Sequence, residues 1–326
     1  MIFALLAALS GAAETAHQGY LLVANKGDRT VSMVDVVAGR QVATIAEEGK
    51  TGHEVAVSPD GSRAFVPIYG DAGVGKPGTD GQLLRVIDLS QRAIVGTIDF
   101  GQGVRPHCAV FGPQNGLLYV TTELENSVTV IDPATLKIVG SIPTGQRQSH
   151  MLAISRDGRR GYTCNVGAGS VSVLDLDAGK LVATIPVAAM IQRISLSVDG
   201  RLAFTADQTA LRLAVIDTAT NAVSASIPLP GLGFGTTPTP DGRWLLVTLP
   251  ALNEVGFVDL ATMKVVQTVA VPKAPQEILI APDGSAAYVS CDASKQVAVI
   301  DLAGRRVAKL IDVGAVDDGL AWAAAR

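Results

Sequence analysis

Seven alternating runs that end in aspartate recur along the chain. They are TVSMVD, LLRVID, SVTVID, SVSVLD, RLAVID, EVGFVD and QVAVID, closing at Asp35, Asp88, Asp132, Asp175, Asp217, Asp259 and Asp301. Alternation over so few residues is the period of a β-strand. The terminal aspartate suits a tight turn, because its carboxylate accepts backbone N–H groups two residues on. A second unit is a turn, written SPDG, SRDG, SVDG, TPDG and APDG. Its glycine supplies the positive φ that a hairpin requires. A third unit, LYVTTE, GYTCNV, AFTADQ and AYVSCD, is again a strand. Each repeat therefore reads as strand, Asp-Gly hairpin, strand, loop, Asp-ended strand, short turn, strand.

Four strands repeated seven times, with almost no segment of helical period, predict an all-β seven-bladed β-propeller of four-stranded antiparallel blades. The chain enters in mid-repeat at YLLVAN and ends on a lone first strand, GLAWAAA. That strand is expected to join the three N-terminal strands in one blade, which removes exposed strand edges. LYVTTELENSVTVID and AYVSCDASKQVAVID resemble repeats of the bacterial YVTN-type seven-bladed propellers, and the resemblance runs from Tyr20 onward. It implies the fold. It does not imply one function, because such propellers include binding proteins and cofactor-bearing redox subunits.

Composition narrows the function classes. The 326 residues are 48% hydrophobic and 17% charged, with a formal net charge of −4 and no basic run. Nucleic acid is therefore not an expected partner. The opening MIFALLAALSGAAETAHQG has an apolar stretch followed by small residues. Residues 1–16 are read as a signal peptide and 17–326 as a single propeller domain, which predicts a periplasmic or secreted protein. No later run is long and apolar enough for a membrane helix, and a monomer is expected. Cys108, Cys164 and Cys291 have no CxxC spacing and read as small buried hydrophobes.

The histidines carry the functional signal. Seven residues before the turn aspartates Asp60, Asp157, Asp199, Asp241 and Asp283 stand His53, His150, Gln192, Phe234 and Gln276. In the third repeat Gln114 replaces the aspartate and gives His107, and aligning GAVDDGLAW with GKTGHEVAV adds Asp318. This slot is read as the first residue of each innermost strand, so the seven positions ring one mouth of the central channel. Three of the chain's four histidines occupy it on consecutive blades. Converging imidazoles suit a divalent transition metal: zinc, copper, manganese, iron or nickel. His53, His107 and His150 are the expected metal ligands, with Gln192 as a further one. Ligand imidazoles must be neutral, so binding is expected to weaken below about pH 6.5.

Other polar residues fall on the same face. Glu123, in TTELEN, and Tyr69 stand at the end of second strands, as do Asn25, Asn165, Asp207 and Asp292. Arg105 and Arg147 precede His107 and His150, while Glu54, Arg193 and Glu277 follow their slots. Glu123, Tyr69, Arg105 and Arg147 are the candidate catalytic residues, with a carboxylate as metal ligand or base and the arginines suited to an anionic small-molecule substrate. Blade two also carries about ten extra residues in YGDAGVGKPGTDGQ, read as a lid over His53 and His107. The leading expectation is a metal-dependent lyase or hydrolase. The alternatives are a non-catalytic ligand- or protein-binding propeller and a copper-type redox accessory protein.

Overall fold

The computed structural model describes residues 19–324. The signal-peptide reading lies outside them. Seven antiparallel sheets follow one another around the ring. Blade two consists of Thr51–Gly52 with Ala56–Val57, then Arg63–Gly70, Asp80–Asp88 and Ala93–Asp99. Blade three runs Pro106–Phe111, Leu118–Thr122, Ser127–Asp132 and Lys137–Pro143. Blade four begins at Ser149–Ile154, blade five at Ser195–Leu196, blade six at Thr236–Pro238 and blade seven at Pro275–Ile280. Among the described residues the one helical element is the 3-10 turn Glu123–Glu125.

Blade one closes the ring as expected. Its inner strand is the C-terminal Asp317–Ala324, paired antiparallel with Gly19–Asn25 from Gly19↔Ala324 to Asn25↔Asp317. Thr30–Asp35 and Arg40–Ala46 complete it.

The repeat signals act as read. Six 1–2 turns hold glycine at positive φ, from +66° at Gly116 to +73° at Gly158. The seven strand-ending aspartates each accept a backbone N–H two or three residues on, for example Ala38 N–H to Asp35 Oδ1 at 2.8 Å and Ala261 N–H to Asp259 Oδ1 at 2.8 Å. The core lies between blades. Phe65 and Leu84 of blade two pack with Leu118, Val120 and Ile131 of blade three. Phe204 and Val215 of blade five pack with Leu245 and Val247 of blade six. Alternation is thus a two-sided requirement, since each blade buries both faces against its neighbours.

Closure depends on the last strand. Deleting residues 317–326 leaves the Gly19–Asn25 edge, with buried Leu21, Leu22 and Val23, unpaired. The truncated chain is expected to elute as aggregate on size exclusion and to lose a cooperative thermal transition. A truncated monomer melting like the full chain would contradict the closure.

Candidate active site

Each innermost strand is irregular where its slot falls. The slot is the second residue of the strand in blades one, three, four and seven, at Asp318, His107, His150 and Gln276. In blades two, five and six, His53, Gln192 and Phe234 lie outside regular strand pairing. The ladders of blades three, four and seven shift register at this point, between Val120 and Thr122, Ser149 and Met151, and Pro275 and Ile278. Such bulges turn side chains out of the pleat. Two residues before four of the slots the backbone is left-handed at non-glycine residues: Arg105 (φ 51°), Gln148 (φ 59°), Ala274 (φ 57°) and Val316 (φ 57°). These conformations store strain, which concentrates at functional sites.

The three histidines do come together. The rings of His53 and His107 are 5.4 Å apart, and those of His107 and His150 are 3.5 Å apart and tilted by 31°. His107 and His150 are buried, and His53 is half-buried. Thr121 ties the two buried slots together: its hydroxyl donates to His150 O at 2.7 Å and accepts from Cys108 N–H at 2.9 Å.

Glu123 and Tyr69 join the cluster. Tyr69 lies 4.6 Å from the His53 ring and 5.3 Å from the His107 ring. Its hydroxyl donates to Glu123 Oε2 at 2.7 Å, and His150 Nδ1 sits 3.1 Å from the same oxygen. The Gln192 amide nitrogen is 3.1 Å from His150 Nε2. Both nitrogens of His150 are therefore engaged, and its ring stacks on His107. As arranged, the three histidines do not aim their nitrogens at one point, and no cluster of three or more His, Cys, Asp or Glu among the described residues has the geometry to hold a metal ion. Two buried atoms of the cluster have no hydrogen-bond partner: His107 Nδ1 and Glu123 Oε1.

Burial sets the protonation of this layer. It lowers His53 to about 3, lowers His107 well below the ordinary histidine range, and lowers His150 against the pull of Glu123. The loss of neutral imidazole expected near pH 6.5 is therefore displaced: His53 and His107 stay uncharged well below it, and His150 is shifted downward too. Burial, reinforced by Glu123, raises Tyr69 far above its usual value, so it keeps its proton.

The two arginines part company. Arg105 is buried, but its Nε is 2.6 Å from Asp80 Oδ1, and its Nη2 donates to Lys76 O at 2.8 Å. It fastens the inserted segment 70–81 and lies 3.9 Å from Glu123 Oε1. It is already paired, which removes it as a free anchor for an anion. Arg147 is exposed and donates to Gly167 O at 3.0 Å; it is not brought to the cluster. The insertion reaches across blade three, where Gly75 meets the Gln148 side chain.

Asn25, Asn165 and Asp207 brace their own blades: Asn25 donates to Ser32 Oγ, Asn165 donates to Ser172 Oγ, and Asp207 pairs with Arg212. A second charged layer was legible only in part. Buried Arg193 places Nη2 2.9 Å from Glu54 Oε1 and 2.7 Å from Asp318 Oδ1, with Nη1 3.6 Å from Glu277 Oε2. Lys26 pairs with Asp318 at 2.9 Å and Asp292 at 3.3 Å. Burial would raise Asp318, but Lys26 and Arg193 pull it down to about 2. The available signal was that Glu54, Arg193 and Glu277 share one position, immediately after the slot, on three blades.

Comparison with known proteins bears on this arrangement. Residues 14–222, about two-thirds of the chain, match the family described as "Lactonase, 7-bladed beta-propeller", and residues 231–325 match "YNCE-like beta-propeller". No curated protein matches the chain. Among solved structures, Kuenenia stuttgartiensis hydrazine synthase is 19% identical with a TM-score of 0.73, over 91% of this chain and 99% of that one. The dihydro-heme d1 dehydrogenase NirN, in complex with DHE, is 17% identical with a TM-score of 0.69, over 94% and 76%. A functionally unknown protein from Desulfotomaculum acetoxidans DSM 771 is 15% identical with a TM-score of 0.77, over 94% and 99%. At these identities the structures establish the fold alone.

Two buried carboxyls brace the slots and predict a pH response. Glu47 Oε2 accepts Gly52 N–H at 2.7 Å, next to His53, and Asp317 Oδ2 accepts Cys291 N–H at 2.6 Å, next to Asp318. Burial raises each to about 7. The folded state then holds protons that the unfolded state has released. Stability is fully present below the ordinary carboxyl range and is lost as pH rises through about 7. Glu47→Gln keeps the acceptor without the charge. At pH 8 it should stabilise the fold by about 1–3 kcal/mol and flatten the fall in melting temperature between pH 5 and 8. An unchanged pH profile would contradict this.

Proposed function

The chain belongs to the seven-bladed β-propeller lactonase family, and from that premise we propose that it hydrolyses a small lactone at the Tyr69–Glu123–His150 cluster. The observation that carries the reading is that Glu123 Oε1 and His107 Nδ1 are buried without a hydrogen-bond partner, beside a Glu123 Oε2 that accepts from both Tyr69 and His150. They are the contacts left for a water and an ester. Glu123 Oε2 is held by the Tyr69 hydroxyl and by His150 Nδ1, which fixes the carboxylate and leaves Oε1 to act as base. Oε1 takes a proton from a water as that water's oxygen bonds to the lactone carbonyl carbon. His107 Nδ1, in its N–H tautomer, donates to the carbonyl oxygen as it gains charge. The ring C–O bond then breaks, and the leaving alkoxide takes the proton back from Glu123. Because the cluster is buried, substrate enters when segment 70–81 releases Arg105.

Hydrolysis of a panel of γ- and δ-lactones, followed by proton release, tests this. Glu123→Gln should lower kcat about 10²–10⁴-fold, and Arg147→Ala should leave it unchanged. Since burial keeps the histidines neutral, kcat/KM should show no limb near pH 6.5. Full activity in Glu123→Gln would sink the assignment, as would no turnover of any lactone.

A divalent transition-metal centre is the second reading. In its favour, the imidazoles are neutral, as ligands must be, and His107 Nδ1 has no partner. His53, His107, His150 and Gln192 would hold the ion, after His150 leaves Glu123 and the His107–His150 stack opens. Such an ion would polarise the ester carbonyl. Elemental analysis after exposure to zinc, copper, manganese, iron or nickel should then find about one ion per chain, lost in His107→Ala while the propeller stays folded. Protein that stays metal-free discards this reading and leaves the first intact.

A further inference from the structure

The loops around the mouth are not alike. Over blades five and six they are segments 187–192, 208–211, 229–235 and 250–253, and none holds a charged residue. Over blades one, two and seven the equivalent loops carry Lys26, Glu48, Lys50, Lys273 and Lys295. The uncharged loops expose large aliphatic side chains instead: Met190 at 38%, Leu232 at 41%, Leu252 at 43% and Leu211 at 54%. Met190 and Leu232 stand two residues before the slots Gln192 and Phe234. Backbone bonds hold these loops together: Gln208 N–H donates to Met190 O at 3.0 Å, and Leu229 N–H donates to Leu211 O at 2.9 Å. Leu252 packs on Gly231, where a Cβ would lie 2.8 Å from the Leu252 Cδ1. One apolar strip therefore runs from the outer loops to the slots. At its inner end Gln192 reaches His150, with its amide nitrogen 3.1 Å from Nε2. Contiguous exposed aliphatic surface of this kind marks a contact for a ligand or a partner.

We propose that this strip sets substrate specificity: the cyclic ester bound at the Glu123 cluster carries an alkyl chain that lies along Met190, Leu232 and Leu252. The head group in this proposal rests on the lactone reading, and the chain rests on the strip. The class follows from the surroundings. These loops offer no charge to a phosphate or a carboxylate. Four side chains, three of them already more than half covered, fall well short of the roughly 800 Å² per side that a stable protein partner covers. A single alkyl chain matches so narrow a strip, and contact takes both apolar surfaces out of water. Blade two, with its inserted segment 70–81, stands across the mouth from blades five and six, so the chain and the insertion do not compete for the same loops.

Two measurements separate the chain from the head group. The first uses 3-hexylcyclopentanone, which has the ring carbonyl and the chain of γ-decalactone but no ester to hydrolyse. It is added to the whole protein carrying 13C-labelled methionine methyls. The Met190 signal should shift saturably, with a Kd on the order of 0.1–1 mM for so small a ligand. Cyclopentanone should bind roughly tenfold more weakly or worse, having no chain. Met33, buried between blades one and two, should not move. The second compares kcat/KM for γ-butyrolactone, γ-octalactone and γ-decalactone. It should rise roughly two- to threefold per methylene, because an open strip covers only part of each. The double variant Leu232→Ser with Leu252→Ser, at two exposed positions, should weaken the Met190 response and level the series. No saturable Met190 shift in the wild type overturns the strip, as does a response that persists unchanged in the folded double variant. So does a concentration-dependent dimer that the double variant abolishes, since a second copy is then the occupant. If no lactone is turned over while Met190 still answers the hexyl chain and not the bare ring, the strip stands and hydrolysis at Glu123 falls. Turnover that ignores chain length does the reverse.

Discussion

Pairing of the C-terminal strand with the first is the constraint on which the rest of the molecule depends. Each blade buries both faces, so a ring with one inner strand missing exposes an edge and two apolar surfaces at once. The same strand delivers two parts of the mouth. It places Asp318 against Arg193 and Lys26, and Gly319 N–H donates to His53 O at 2.9 Å. Gly319 is where the backbones come closest: a Cβ there would lie 2.5 Å from Glu54 Cα. Closing the ring and completing the charged layer are one event.

Two layers of unlike chemistry result, one residue apart along the inner strands. At the slot, burial keeps three imidazoles neutral and packs them around a fixed carboxylate. One residue on, Glu54, Arg193 and Glu277 meet the slot residue Asp318 in a knot centred on Arg193. The knot pairs most of its own charge and leaves only Arg193 Nε without a hydrogen bond, whereas the slot layer leaves both His107 Nδ1 and Glu123 Oε1 without one. Strained residues such as Val316, a β-branched side chain at positive φ, are held in place by the closed ring around them.

Much of this was written in the local pattern. Blade number, turn chemistry, the closing strand and the gathering of His53, His107 and His150 follow from periodicity and register, because a propeller maps equal sequence offsets onto equal radial positions. Glu123 and Tyr69 were found by the same mapping, as residues ending second strands on one face. Arg147 was misplaced by it. Register says which face a loop residue belongs to, but not whether a long side chain turns inward, and Arg147 finds a carbonyl at the surface instead. Arg105, equally a loop residue, turns inward because Asp80 and the carbonyls of the insertion receive it.

The sequence by itself determined the ring, its closure and the radial address of each slot, because those depend on strand period and turn type, which are local. Only the tertiary structure decided what the addressed side chains do. Whether His150 points its nitrogens at a shared centre or at Glu123 and Gln192 depends on neighbours from three blades. Whether an imidazole is charged depends on how much water those neighbours exclude. Arg193 could be read as a solvated loop residue until Glu54, Asp318 and Glu277, far apart in the chain, closed around it. Rotamer, burial and ion pairing are set by contacts between distant segments, and no local pattern records them.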